Sequence, residues 1–519
     1  LSVEPRDPSG TKDPSGTKDP SGTKDPSGTK DPSGAVPTDP AGAGPTDPSI
    51  GVDEWVARRA GRREYASGLI GDAQRLWERV GWWPKLGLAA LFGLIVPFLT
   101  SNDFQLQVGI NALLLALLAL GLNISVGWAG LLDLGYIAFY GFGAYGFALL
   151  SSNQLNSPTG IHLAAYISLP VIAVGAACLG LIVGLPSRRL IGDYLAILTL
   201  FFGEAFVEFT NNVAPKTFGG PNGITAIDPV RAFGHQITTN KGYFYALLVL
   251  LVLSAAALHL LDNSRTGRAW RAVREDPLAA GMMTIPVNRV KLMAFSFGAV
   301  VAALAGTMFA AQQINVFPTD FDTPYLILIY AALILGGAGS IGGAILGGLL
   351  LSVMLDGFLR STTDAGYLFY GVILLTMFVK IRPWRRLAAI LGATAVLGIV
   401  VHTVVEAISK TAVAGGPQST GWIADALHNW VVVPANPTTA GNIGFVVLIC
   451  LAVALRQIKS QRTRDIVLVP TLYLAACVWE GVLVAQPSIT RQILVGAILI
   501  VMMNARPQGL LGQRRVEVI

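Results

Sequence analysis

From residue 84 to residue 504 the chain alternates between apolar runs and polar connections. The runs lie near 84–100, 104–124, 128–150, 161–184, 193–210, 242–261, 289–311, 323–337, 341–358, 366–380, 387–408, 443–455, 465–485 and 491–504. A helix needs about 20 apolar residues to cross the hydrocarbon layer, and most of these runs approach that length. Several are short or interrupted by glycine, so some are expected to be half-helices or re-entrant segments sheltered by protein. The pattern predicts an all-α, polytopic transmembrane helix bundle of about 10–14 membrane segments, some of them broken or re-entrant.

The first 83 residues follow a different pattern. Residues 7–30 are four copies of Asp-Pro-Ser-Gly-Thr-Lys, and Pro-, Gly- and Asp-rich sequence continues to residue 51. Such a repeat has no apolar face to bury and cannot offset the entropy of ordering, so residues 1–51 are expected to form a disordered N-terminal tail. The tail lacks the basic start and apolar core of a secretory signal. Residues 52–83 interleave Trp55, Tyr65, Trp77, Trp82 and Trp83 with six arginines, which suits an amphipathic helix lying in the membrane interface.

Composition strengthens the membrane reading. Of 519 residues, 53% are hydrophobic and 13% are charged, against about 25% charged in soluble proteins. The formal net charge of +6 does not indicate nucleic-acid binding, because the basic residues have a topological explanation. If every run crosses once and the tail is inside, 20 of the Lys and Arg residues after residue 83 fall on the inner side and 6 on the outer. That bias obeys the positive-inside rule and places both termini in the cytoplasm. Cys178, Cys450 and Cys477 sit in apolar runs and the five histidines show no ligand spacing, so neither a metal site nor a redox site is expected. No G-x-x-x-x-G-K-[ST] loop occurs, so no phosphate cradle is expected in this chain and ATP coupling would need a partner.

The longest inner polar stretch is 262–288. Arg268, Arg271 and Arg274 recur at helical spacing, Asp276 can cap a turn that begins at Pro277, and Ala279-Ala280-Gly281 offers a small-residue docking surface. These residues fit two readings equally: a coupling helix for a soluble motor subunit, or a basic loop that obeys the charge rule.

A family resemblance separates the two. GLNISVGWAGLLDLGYIAFYGFGAY (121–145), GDYLAILTLFFGE (192–204), GGPNGI (219–224), NSRTGRAWRAVREDPLAA (263–280), VKLMAFSFGAVVAALAGTMFA (290–310), LGGAGSIGGAILG (335–347) and RPQGLLG (506–512) resemble, in order and spacing, the M-type permeases of ABC importers for branched-chain amino acids. The resemblance implies a multi-pass permease in the cytoplasmic membrane of a prokaryote, not an enzyme, with Arg274, Glu275, Asp276, Ala279, Ala280 and Gly281 contacting an ATPase. The implied partners are two ABC ATPase subunits that carry ATP and Mg, a second, H-type permease, an external solute-binding protein, membrane lipid and an amino-acid substrate. No cofactor is expected on this chain itself. The family usually has a Met-Gly-Ile-like step after the coupling segment. This chain has Met283-Thr284-Ile285, so a different turn is expected there.

Carboxylates within apolar runs are costly and default to functional candidates. Asp133 lies between glycine breaks, and Glu204 and Glu208 are one turn apart on one helix face. With Asn123 they form a candidate wall of the translocation route. Half-helix ends could hold a zwitterion by backbone dipoles, which adds Gly127, Gly336 and Gly337. The competing use of these glycines is close helix packing. Asp356, Glu406 and Glu480 lie near run ends and are read as structural.

Two stretches look like the family's final span, 370–383 and 495–507 followed by Gln-Gly-Leu-Leu-Gly. Hence the expected organisation is a tail (1–51), an interfacial helix (52–83), a permease core (84–365), an added membrane block (366–490) that is either an insertion or a duplicated end, and a terminal span with its RPQGLLG tail (491–519). The alternative functions are an ion-coupled secondary transporter using the buried carboxylates, or an ABC permease for urea or short amides.

Overall fold

The apolar runs fold into helices. The computed structural model describes residues 81–483, except 101, 155–160, 187–192, 214, 233–234, 360–361, 382–383, 410–412, 414–426, 435–436 and 459, together with residues 493, 496, 500, 503 and 508–511. The repeat tail, nearly all of the interfacial segment and most of the final apolar run lie outside the described residues.

The core helices are α1 (Trp82–Leu99), α2 (Asp103–Leu122), α3 (Tyr136–Leu150), α4 (Ala165–Gly184), α5 (Asp193–Asn212), α6 (Asn240–Asn263), α7 (Arg265–Glu275), α8 (Pro277–Met282), α9 (Val287–Gln313), α10 (Thr323–Gly336) and α11 (Ile341–Ser352). They are followed by α12 (Thr362–Lys380), α13 (Trp384–Ile408), α14 (Pro437–Gln457) and α15 (Gln461–Val478). Seven helical stretches among the described residues are long and apolar enough to cross a membrane, and four shorter apolar stretches accompany them. The all-α polytopic bundle is therefore as the hydropathy pattern predicts. β-structure among the described residues is confined to two hairpins of two-residue strands and one isolated bridge.

Loop contacts sort the connections onto two faces. On one, Trp128 Nε1 donates to Gly339 O at 3.2 Å, Trp270 Nε1 donates to Val290 O at 2.8 Å, and Leu510 N donates to Leu335 O at 3.0 Å. On the other, Asp228 N donates to Ser151 O at 2.8 Å, Ile227 N donates to Ile314 O at 3.0 Å, and Ile224 pairs with Val316. The basic 262–288 stretch lies on the first face. Crossings from α2 to α11 thus alternate, independently of any charge count.

Helix α9 is the central element and packs along α3 and α4. No hydrophobic force drives helices together in lipid, so contact rests on small residues that admit close backbone approach. Gly143 and Gly306 serve this purpose reciprocally: a Cβ on Gly143 would strike the Ala303 backbone, and one on Gly306 would strike the Tyr140 carbonyl. Toward the second face, Tyr140 stacks on Tyr325 at 5.8 Å, and Phe206, Phe309 and Phe321 fill the space around them. By contrast α1 is mostly exposed and touches α6 at Gly93, against Leu248, and at its start, where Trp82 stacks on His259 at 3.8 Å.

The block after residue 366 packs partly on itself. Trp430 Nε1 donates to Ala395 O at 3.0 Å, and Arg386 pairs with Asp465 at 3.8 Å. Its Trp479 stacks on Phe369 at 4.1 Å, and fully buried Glu480 accepts from Tyr370 Oη at 3.0 Å. Beyond it the chain returns to the core, where Leu510 and Leu511 donate to the carbonyls of Leu335 and Gly336. The second of the two similar endings therefore supplies the motif that closes the end of α10.

Candidate coupling face and the broken helices behind it

The 262–288 stretch forms two helices, each started by a side-chain cap. The Ser264 hydroxyl accepts from Thr266 N and Gly267 N, and Asp276 Oδ1 accepts from Leu278 N at 2.8 Å and Ala279 N at 3.1 Å, with Pro277 in the first turn of α8. This is the capping chemistry that Asp-Pro at a helix start provides. Helix α7 is two-sided: Trp270 and Val273 are buried, whereas Arg268 and Arg271 face solvent.

The candidate coupling residues divide between surface and interior. Glu275, Asp276, Ala279 and Gly281 are exposed, but Ala280 is buried. Arg274 turns inward: its guanidinium donates to the Gly127 carbonyl, and its stem lies against Gly130, where a Cβ would sit 2.7 Å from Arg274 Cγ. Large apolar side chains of the loop stand in the open as well, with Leu278 80% exposed, Met282 87% and Met283 76%. These three stand beside the small residues Ala279, Ala280 and Gly281, in which the sequence suggests a docking surface. Their signal in the sequence is Leu278 and Met282, apolar residues four apart in a polar stretch.

The turn after α8 reverses through Thr284 at φ 65°, a left-handed conformation that glycine adopts freely. Thr284 Oγ1 donates to Met283 O at 2.6 Å. The expected different turn is thus a turn that still needs φ > 0, occupied by a β-branched residue. Thr284→Gly is expected to raise stability by about 1 kcal/mol by relieving left-handed strain. A thermal-unfolding comparison in detergent measures it.

Behind the loop two membrane helices break. At its end on the first face α2 runs into a π-helical turn, Asn123–Trp128, and α10 and α11 meet at a glycine-rich turn. Asn123 Oδ1 accepts from Gly339 N at 2.7 Å while Trp128 Nε1 donates to Gly339 O, so the two side chains grip one residue by its N–H and its C=O. Trp270 stacks on Trp128 at 5.9 Å, which ties α7 to the same break. Gly127 packs against Asn123 and Gly339, and Gly336 O and the adjacent turn at Gly337 are occupied by the chain at Gly509–Leu511.

The carboxylate candidates do not converge. Asp133 is buried beside α3, where its Oδ1 accepts from Gly135 N at 3.2 Å and its carbonyl accepts from Tyr330 Oη at 2.8 Å. Glu204 and Glu208 are exposed on α5, whose Thr199 and Gly203 pack against Leu134 and Gly135. Glu204 accepts from Thr323 Oγ1, at the start of α10, and Glu208 from Asn212. No His/Cys/Asp/Glu group among the described residues could hold a metal ion.

Comparison with known proteins agrees with this architecture. Residues 106–378 match the model for the permease component of branched-chain amino acid transport systems. The high-affinity branched-chain amino acid transport system permease protein LivM of Escherichia coli is 37% identical over 328 residues, covering 58% of this chain and 73% of that protein. LivM of Salmonella typhimurium is 36% identical over 328 residues, with the same coverage of both chains. The LivH permease of Escherichia coli is 28% identical over 250 residues, 46% of this chain and 79% of that protein. No solved structure matches the chain. With a match from α2 through most of α12 and LivM relatives covered over nearly three-quarters of their length, this multi-pass membrane protein belongs to the branched-chain amino acid transport permease family.

Proposed function

We propose that this chain moves branched-chain amino acids inward across the cytoplasmic membrane as one permease of an ATP-driven importer. It would work beside a second, H-type permease, two ABC ATPases and an external solute-binding protein. In this reading the face carrying α7 and α8 is cytoplasmic and both termini lie on that side, as the Lys and Arg bias favours. ATP and Mg stay on the ATPases, and this chain performs no chemistry of its own.

The observation that carries the reading is the apolar crest of Leu278, Met282 and Met283 on a capped helix, backed by Arg274 and Trp270 on the broken end of α2. Three large apolar side chains held in water call for a partner groove. A motor that closes on that crest pushes on α7, and through it on the junction of Asn123, Trp128 and Gly339. Alternating access then needs only that this junction have two packings.

An ion-coupled mechanism would use neighbouring titratable carboxylates. Asp133 is buried and bonded to Gly135 N, whereas Glu204 and Glu208 are exposed and bonded to Thr323 and Asn212, so no hydrogen bond links the candidates into a relay among the described residues, which favours the ATP-driven reading.

The test is uptake into proteoliposomes that hold the whole complex with its binding protein. Leucine, isoleucine and valine are expected to enter with ATP, to compete with one another, and to be insensitive to urea and to a protonophore. Uptake that collapses with the protonophore while ATP remains would defeat the proposal. Within it, Arg274→Ala is expected to leave the ATPases bound and to lower solute moved per ATP several-fold, because a charge-assisted hydrogen bond of about 1.5–3 kcal/mol no longer joins the loop to α2. Equal loss of ATPase binding would place Arg274 on the docking surface instead.

A further inference from the structure

A line of polar side chains joins α2, α9 and the turn after α11 near the second face. Gln312 Nε2 at the end of α9 donates to Gln107 Oε1 at 3.0 Å, and Gln107 Nε2 donates to Asn111 Oδ1 at 3.4 Å. Asn111 Nδ2 in turn donates to Asp356 Oδ2 at 3.3 Å, and Ser352 Oγ reaches the same oxygen at 3.2 Å. Every amide points its donor toward the next acceptor, and the sequence of bonds ends on a carboxylate.

Three features mark this line as more than internal glue. Between Leu106 and Ser125 on α2, the only residues not fully buried are Gln107, Gly109 and Asn111, so the helix opens where it is polar. Asp356 sits on a π-helical turn, Val353–Phe358, that interrupts the course of α11, and such turns are frequent at functional sites. Two acceptors are left over: Gln312 Oε1 is buried without a partner, and among the described residues no hydrogen bond reaches Asp356 Oδ1 and no Lys or Arg forms an ion pair with Asp356. A carboxylate half-buried among helices with no cationic partner among the described residues favours a cationic ligand. A surplus of acceptors calls for a ligand that only donates, and an alkylammonium presents three donors and one positive charge.

We propose that Asp356, with Asn111, Gln107 and Gln312, forms the outward-half subsite that receives the ammonium group of the amino acid on its way through the permease. Asn111 and Ser352 occupy Oδ2, which leaves Oδ1 for the solute. Tyr325 is close enough to Asp356 to feel its charge, and its ring, stacked on Tyr140, offers an apolar surface for an aliphatic side chain. A solute held here is still separated from the opposite face by the junction of Asn123, Trp128 and Gly339. This inference rests on the import function proposed above and assigns the substrate contact within it.

The experiment uses the complete importer in proteoliposomes and reads both uptake and binding-protein-stimulated ATP hydrolysis. Asp356→Asn keeps the shape and removes the charge, and is expected to lower leucine uptake by about tenfold or more, the loss of a charge-assisted hydrogen bond. Solute moved per ATP hydrolysed should fall with uptake, while the ATPases still co-purify with the variant, since the proposed motor contact lies on the other face. Asp356→Glu should recover much of the uptake, and Gln312→Leu, which removes an unpaired acceptor without touching Asp356, should lower uptake several-fold. Uptake by Asp356→Asn equal to that of the parent would overturn the subsite. So would parallel loss of uptake, hydrolysis and thermal stability in Asp356→Asn and Gln312→Leu, which would make the line purely structural. If the parent complex itself shows no ATP-dependent uptake, the import function fails and not the subsite alone.

Discussion

Leu278→Glu is expected to abolish ATP-driven uptake while leaving the permease folded. Leu278 is 80% exposed and sits in the first turn of a helix capped by Asp276, so little in the chain depends on its side chain. A surface substitution of this kind changes stability by about 0.5 kcal/mol or less. In a motor groove the balance reverses. The leucine's contacts are lost and a carboxylate is buried without a partner, at about 3–5 kcal/mol, which weakens docking by a factor on the order of a hundred to several thousand. Co-purification of the ATPases and leucine uptake should fall together, while the melting temperature of the isolated permease stays unchanged. Leu278→Met, which preserves an apolar side chain, should keep both. Full uptake by the glutamate variant would remove α8 from the coupling surface. The buried position of Ala280 makes it a poor probe of the same question, because a bulky replacement there would disturb α8 itself.

Gly306→Leu is expected to prevent assembly of the core. A Cβ at this position would already strike the carbonyl of Tyr140 and crowd Ala144 N, and the other three carbons of leucine have nowhere to go. The opposing position, Gly143, meets the Ala303 backbone, so neither helix can yield toward the other. Backbone atoms cannot swing aside as a side chain can, and the overpacking cost exceeds the usual 1–3 kcal/mol for extra methylenes, reaching about 5 kcal/mol. The measurable outcome is loss of monodisperse protein after detergent extraction. Gly371→Leu serves as the contrast, since a Cβ there meets nothing within 4 Å and the variant should extract normally.

Much of this protein was legible before its fold was known, and for a physical reason. Membrane-spanning helices must satisfy every backbone group internally, so their position follows from local apolarity alone. The same locality made the capped start of α8 readable from Asp276 and Pro277. Thr284 was readable in part: the missing glycine was visible, but not that the backbone would keep φ > 0 there. The route-lining candidates fared differently. Asp133, Glu204 and Glu208 stand out because they are charged within apolar runs, yet charge along one chain segment carries no information on which segments become neighbours. Asp356 looked like an inexpensive charge at a run end, and its link to Asn111 spans 245 residues of chain.

The sequence by itself determined that the chain is a multi-pass α-helical membrane protein and that 262–288 carries a short capped helix. Each of these depends on neighbours within a turn or two, or on a transfer from water to lipid that every segment makes alone. Only the tertiary structure decided that Arg274 points inward, that Leu278, Met282 and Met283 form the exposed crest, and that Leu510 and Leu511 close the end of α10. Those outcomes depend on close packing between helices far apart in sequence, where backbone approach at small residues selects one arrangement among many that hydropathy allows equally.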